Sequence, residues 1–163
     1  MTGSNIQRFK EAQASPHSGF QSALEEIQRG AKRGHWVWYV FPQLDGLGTS
    51  GLARAFAIHG TDEAEAYLQD GELRARLLAI TEAVADQLRT GTALRALMGS
   101  DIDARKVVSS LTLFGHVART LGAREHTDSL SLLAEVAEEV LTRAAGDGYP
   151  PCRYTLRYVT HSA

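Results

Sequence analysis

Apolar residues recur along most of this chain at helical spacing. Phe20, Ala23, Leu24 and Ile27 fall at i, i+3, i+4 and i+7, with Gln21, Glu25, Gln28 and Arg29 filling the other faces. Leu73, Leu77, Ile80, Val84 and Leu88 make the clearest core helix, and Gly91 is expected to close it. Leu130, Leu133, Val136, Ala137, Val140 and Leu141 describe a last long helix ending near Gly146. Shorter stripes predict helices over Asn5–Ala14, after Ser50, over TDEAEAYLQD with Thr61 as a cap candidate, and over TALRALM. DARKVVSSLTLFGHVART opens at Asp101 or Asp103, is expected to stop at Leu121-Gly122, and leads into a polar connector, AREHTDS.

One stretch breaks this pattern. Residues 34–50, GHWVWYVFPQLDGLGTS, hold both tryptophans. Val37, Tyr39 and Phe41 alternate with Trp36, Trp38 and Val40, so both faces of an extended segment would be apolar. Such a run is either a short buried strand or a helical turn, and periodicity does not separate the two. Pro42 ends it, and LDGLGTSG follows as a glycine-rich loop in which Ser50 is placed to cap the next helix. The tail, GYPPCRYTLRYVTHSA, carries paired prolines and β-prone residues and reads as an extended strap or a loose end.

Composition narrows the class. A length of 163 residues suits one domain with one core. The net charge of -2, from 17 basic and 19 acidic residues, gives no footprint for duplex nucleic acid. A single cysteine, Cys152, excludes an internal disulfide and multi-thiolate metal sites, and fits a cytoplasmic location. No signal-peptide core or membrane span is expected. His116, His126 and His161 show no zinc spacing, and no metal or other cofactor is implied.

Candidate chemistry falls in two clusters. His35, Trp36, Trp38 and Gln43 offer stacking and directional hydrogen bonds of the kind that line pockets. The alternative is that the tryptophans are core and His35 is structural. Gly46, Gly48 and Ser50 could receive an anion at a helix opening, or simply make a turn and a cap. They match neither the P-loop nor the G-x-G-x-x-G pattern. The second cluster is Asp103, Lys106, Ser109, Ser110 and Thr112. Asp103, Lys106 and Ser110 share one helical edge, either as polar ligand contacts or as an exposed ion pair beside serines that permit close packing.

Three patterns carry a resemblance: RF..AQ at Arg8–Gln13, AL.EI..G.K..HW.W..FPQL.GLG.S at Ala23–Ser50, and D..K..SS.TLF at Asp103–Phe114. Over roughly residues 5–142 the chain resembles the domain of unknown function 1810 family. The resemblance implies a compact, mainly α-helical, orthogonal arrangement and no established activity. Some members carry a calpastatin label, which does not suit a folded domain, because calpastatin repeats are disordered segments. The polar positions matching the family motif are Arg8, Gln13, Lys32, His35, Gln43, Ser50, Lys106, Ser109, Ser110 and Thr112, beside Trp36 and Trp38. Val37 stands where Met is commoner, and Phe56 where Tyr is expected, which removes a hydroxyl. The mix of aromatic and basic positions is similar in style to small helical NADAR-type domains that hydrolyse ADP-ribose conjugates.

The expected molecule is mainly α: a compact single-domain orthogonal helical bundle over residues 1–146, with at most a short extended segment near Trp36–Phe41 and a tail over residues 147–163. Its expected function is to hold a small anionic metabolite, nucleotide or ADP-ribose-like, in a pocket where residues 32–50 meet residues 106–114. Lys32, His35, Trp36, Trp38, Gln43, Ser50, Lys106, Ser109 and Ser110 are the candidate ligand residues. The alternative is a non-enzymatic interaction or structural module.

Overall fold

The computed structural model describes residues 5–161; the outermost ends of the expected domain and tail, residues 1–4 and 162–163, lie outside it. Ten helices follow in chain order: α1 (Gln7–Gln13), α2 (Phe20–Gln28), α3 (Val37–Val40), α4 (Gly51–Ala55), α5 (Thr61–Gln69), α6 (Gly71–Arg89), α7 (Leu94–Met98), α8 (Asp101–Glu125), α9 (Asp128–Gly146) and α10 (Arg153–His161). Among the described residues there is no strand, only one isolated parallel bridge, Leu44 to Ile58. The protein is a mainly α, single-domain fold.

The long helices follow the apolar stripes. Leu73, Leu77, Ile80, Val84 and Leu88 of α6 are buried, as are Leu130, Leu133, Val136, Ala137 and Val140 of α9. Asp70 starts α6 by accepting hydrogen bonds from the backbone N–H groups of Glu72 and Leu73. α8 is the centre of the bundle, packing against α9, α5, α7, α10 and α3, while α6 packs against α9 and α2.

Several boundaries differ from expectation, each for a physical reason. α8 continues through Gly122 to Glu125, because that glycine serves close packing: a Cβ there would lie 3.2 Å from the Leu130 Cβ of α9. The connector shrinks to His126 and Thr127, with His126 in the left-handed region at φ 54° as the helix stop. Ser100 caps α8 through the Asp103 N–H, so Asp101 and Asp103 sit inside its first turn. Thr61 caps nothing; Gly60, at φ 101°, takes the cap position, and Glu63 reaches back to the backbone N–H of His59.

Within Trp36–Phe41, Val37–Val40 form the one-turn helix α3, not a strand. It buries Val37, Tyr39 and Val40, with Trp36 and Phe41 buried on either side of the turn. The tail is neither an extended strap nor a loose end. After Pro150-Pro151 it turns into α10, with Thr155 and Val159, at i and i+4, buried as the helix packs on α8. The backbone N–H of Cys152 donates to the Thr112 hydroxyl at 3.1 Å, and the Tyr154 hydroxyl donates to Asp45 O at 2.9 Å. The tail is thereby tied both to α8 and to the glycine-rich loop.

Candidate functional site

Many of the polar side chains in the motifs hold the fold together. The Arg8 guanidinium donates to both Glu63 oxygens, at 2.8 and 3.3 Å, and to the carbonyls of Ala55 and Ala57. Burial alone would push the Glu63 carboxyl up, but the hydrogen bonds from Arg8 and from the His59 N–H outweigh that and hold it below its ordinary value. The buried Gln13 carboxamide donates to Tyr39 O at 2.7 Å and to the Tyr67 hydroxyl at 3.1 Å, while accepting from Arg76. Thr112 donates to Val108 O and accepts from Cys152, so its hydroxyl is satisfied.

Trp36 belongs to the same structural set. It is fully buried, and its indole N–H donates to Glu26 Oε1 at 2.9 Å. That oxygen also accepts from the backbone N–H groups of Arg33 and Gly34. Desolvation pushes the Glu26 carboxyl up, yet these three donors and nearby Lys32 leave it below its ordinary value. Lys32 closes the arrangement. Its ammonium lies 5.2 Å from the Trp36 ring centroid, donates to Gly34 O, and pairs with Asp103 at 2.9 Å.

What remains gathers around an open cleft of about 590 Å³ between the loop after Pro42, the first half of α8 and residues 148–152. That volume suits a small molecule. Gln43, Leu47 and Gly48 form one wall; Ile102, Arg105, Lys106, Val108 and Ser109 a second; Gly148, Tyr149, Pro150 and Cys152 the third. The Lys106 ammonium lies 4.8 Å from the Trp38 ring centroid and stands 3.8 Å from Asp103. Trp38 itself lines a small adjoining cavity that shares Gln43 and Gly48 with the cleft. Ser109 is buried, and its Oγ has no hydrogen-bond partner.

The structure therefore divides the nine candidates. Gln43, Lys106 and Ser109 line the cleft, with Trp38 directly behind Lys106. Lys32 and Trp36 are committed to the Glu26–Asp103 side. His35 and Ser50 are exposed and line none of the cleft, and Ser110 is buried with its hydroxyl unpartnered. Gly46, Gly48 and Ser50 make the turn and cap that are one of their two readings. Tyr154 Oη lies against Gly46, whose φ is 99°, a Cβ on Gly48 would collide with the Ala53 Cβ, and the Ser50 hydroxyl caps α4 through Ala53 N–H. Arg105, Tyr149 and the apolar wall lie outside the sequence expectation. Ile102, an isoleucine left exposed at a helix start, is the one signal among them.

A second cleft of about 400 Å³ lies across the Pro150–Cys152 segment and includes Thr112, His116, Arg119 and Pro151. Burial, with Arg119 nearby, holds the His116 imidazole below its ordinary value. Among the described residues no group of His, Cys, Asp and Glu side chains could hold a metal ion, and no helix is long and apolar enough to cross a membrane.

Fold and cleft together define a small all-α protein built around one long central helix. The chain belongs to the family described as Protein of unknown function (DUF1810), whose model matches residues 3–141. It is similar to the conserved hypothetical protein Rv1873 from Mycobacterium tuberculosis. The two are 36% identical, with a TM-score of 0.75 over 94% of this chain and 95% of that one. Comparison with curated proteins gives no match. Residues 148–152, the third wall of the cleft, lie beyond the segment matched by the family model.

Proposed function

We propose that this protein binds a small anionic metabolite in the cleft between the Gln43–Gly48 loop, α8 and residues 148–152, with nucleotides and ADP-ribose-like molecules as the first members of that class to test. One observation carries the reading. Lys106 offers an ammonium on the cleft wall, backed by the Trp38 ring and set 3.8 Å from Asp103, while Asp103 is already satisfied by Lys32 at 2.9 Å. A cation so placed is free to meet an incoming anion without breaking the fold. Gln43 and the Ser109 hydroxyl supply orientation. The single cysteine suits a reducing cytoplasm, where we place this function. The reading assigns a ligand site and no reaction.

Tryptophan fluorescence tests it, since Trp38 lies directly behind Lys106. Titration with a panel of small anions, including ADP and ADP-ribose, is expected to shift the emission of the wild-type chain and not that of Lys106→Ala. No response from any member of the panel, together with identical behaviour of Lys106→Ala, would remove the proposal. Trp36, a fully buried core residue, fits the alternative of a structural module for its own side of the motif.

A further inference from the structure

The charges around the cleft limit what anion it can hold. Its lining carries two cations, Arg105 and Lys106, and no carboxylate. Two acids stand behind them. Asp101 pairs with Arg105 at 3.1 Å and accepts a hydrogen bond from the Tyr149 hydroxyl; Asp103 pairs with Lys32 at 2.9 Å and lies 3.8 Å from Lys106. Arg105 has Asp101 at 3.1 Å, and Lys32, only 7% exposed, has Asp103 at 2.9 Å with Glu26 nearby, so of the two lining cations Lys106 has the longer ion pair. At the glycine-rich loop, Tyr154 lies against Gly46 and Ala53 against Gly48 on the side a Cβ would take, while Leu47 and Gly48 border the cleft.

Much of the rest of the lining is apolar. Leu47, Ile102, Val108, Tyr149 and Pro150 line the same cleft as Lys106, and Ile102 remains 67% exposed. Exposed apolar surface beside the Lys106 ammonium matches a ligand with one charge and a hydrocarbon body. Building on the ligand-site reading above, we infer that the cleft takes a monocarboxylate with an apolar body, an alkyl or aryl carboxylate, with its charge against Lys106 and its body along Ile102, Val108 and Tyr149. The unpartnered Ser109 hydroxyl and the Gln43 carboxamide are the neutral hydrogen-bonding groups available to such a carboxylate.

Calorimetric titration of the full chain with butanoate, hexanoate, octanoate, octanamide, ADP and ADP-ribose tests this. Octanoate is expected to bind, with affinity rising roughly two- to fourfold per added methylene. Octanamide, which has the same body without the charge, is expected to bind at least about tenfold more weakly. Lys106→Gln is expected to lose octanoate affinity by about the same factor and Lys106→Arg to keep most of it, with circular dichroism checking that both are folded. Ile102→Ser, at a surface position, is expected to flatten the chain-length dependence. Equal binding of octanamide and octanoate overturns the inference. If ADP or ADP-ribose binds more tightly than octanoate, the monocarboxylate inference falls and the anion-site reading stands; if nothing in the series binds, both fall.

Discussion

The same chemical pair occurs twice in this protein with opposite outcomes. Lys32 lies over Trp36 and Lys106 over Trp38, at 5.2 and 4.8 Å from the ring centroids, and both lysines approach Asp103. Around the first pair everything is closed. Trp36 is fully buried, Glu26 takes its indole N–H, and Lys32 is held by Gly34 O and by Asp103 at 2.9 Å. Around the second, Trp38 is half-buried, Lys106 stands 3.8 Å from Asp103, and the ammonium borders an open cleft. The lesson is one of sharing. A single carboxylate satisfies the inner lysine and leaves the outer one positively charged and available, so one region holds the fold while the other can meet a ligand.

The largest effects should come from the closed region. Trp36→Ala removes a fully buried indole and is expected to cost about 3–5 kcal/mol, measured by denaturant unfolding. A loss below about 1 kcal/mol would mean the region is not core. Lys32→Met is expected to cost roughly 1.5–3 kcal/mol, the range for hydrogen bonds to charged groups. Acid should act in that region through Glu26 and elsewhere in the fold through Glu63 and Asp70. Because the folded-state carboxyls of Glu26, Glu63 and Asp70 lie below their ordinary values, their contribution is complete above the unfolded-state values and is lost as pH falls from about 4.5 through the folded-state values. Thermal melts should therefore fall in that window, and Glu26→Gln, already destabilised at neutral pH, should fall less. A variant as acid-sensitive as the wild type would rule out Glu26 as a contributor. The smallest stability effect belongs to the open region: Lys106→Met should change stability by no more than about 0.5 kcal/mol, since its ion pair is long and partly solvated.

How much of this the amino-acid order reveals depends on the length of each signal. α6 and α9 display apolar stripes over several turns, and their buried faces match those stripes. α3 is a single turn, too short to have a period, and α10 buries only Thr155 and Val159, so neither announces itself as a helix. Gly122 shows a further limit: a glycine that lets two helices touch and a glycine that stops one look alike in a sequence. Of the candidate site, Trp38 and Gln43 were legible from one stretch and Lys106 from one helix edge, but the serine on that edge, Ser110, is buried outside the cleft lining and Ser109 borders it instead. His35 and Ser50 belong to that same stretch, yet His35 is exposed and Ser50 caps α4. The difference between Lys32 and Lys106 lies in how close each stands to Asp103, and the third wall comes from a tail whose docking depends on Thr112 and Asp45. Both are tertiary facts with no local pattern.

Competitive acetylation of the two lysines tests the contrast between them most directly, with each site followed by peptide mass spectrometry in the presence and absence of octanoate. The account predicts that Lys106 reacts faster than Lys32 and that octanoate slows Lys106 alone. Equal rates at the two lysines, or an anion that leaves Lys106 unprotected, would contradict it.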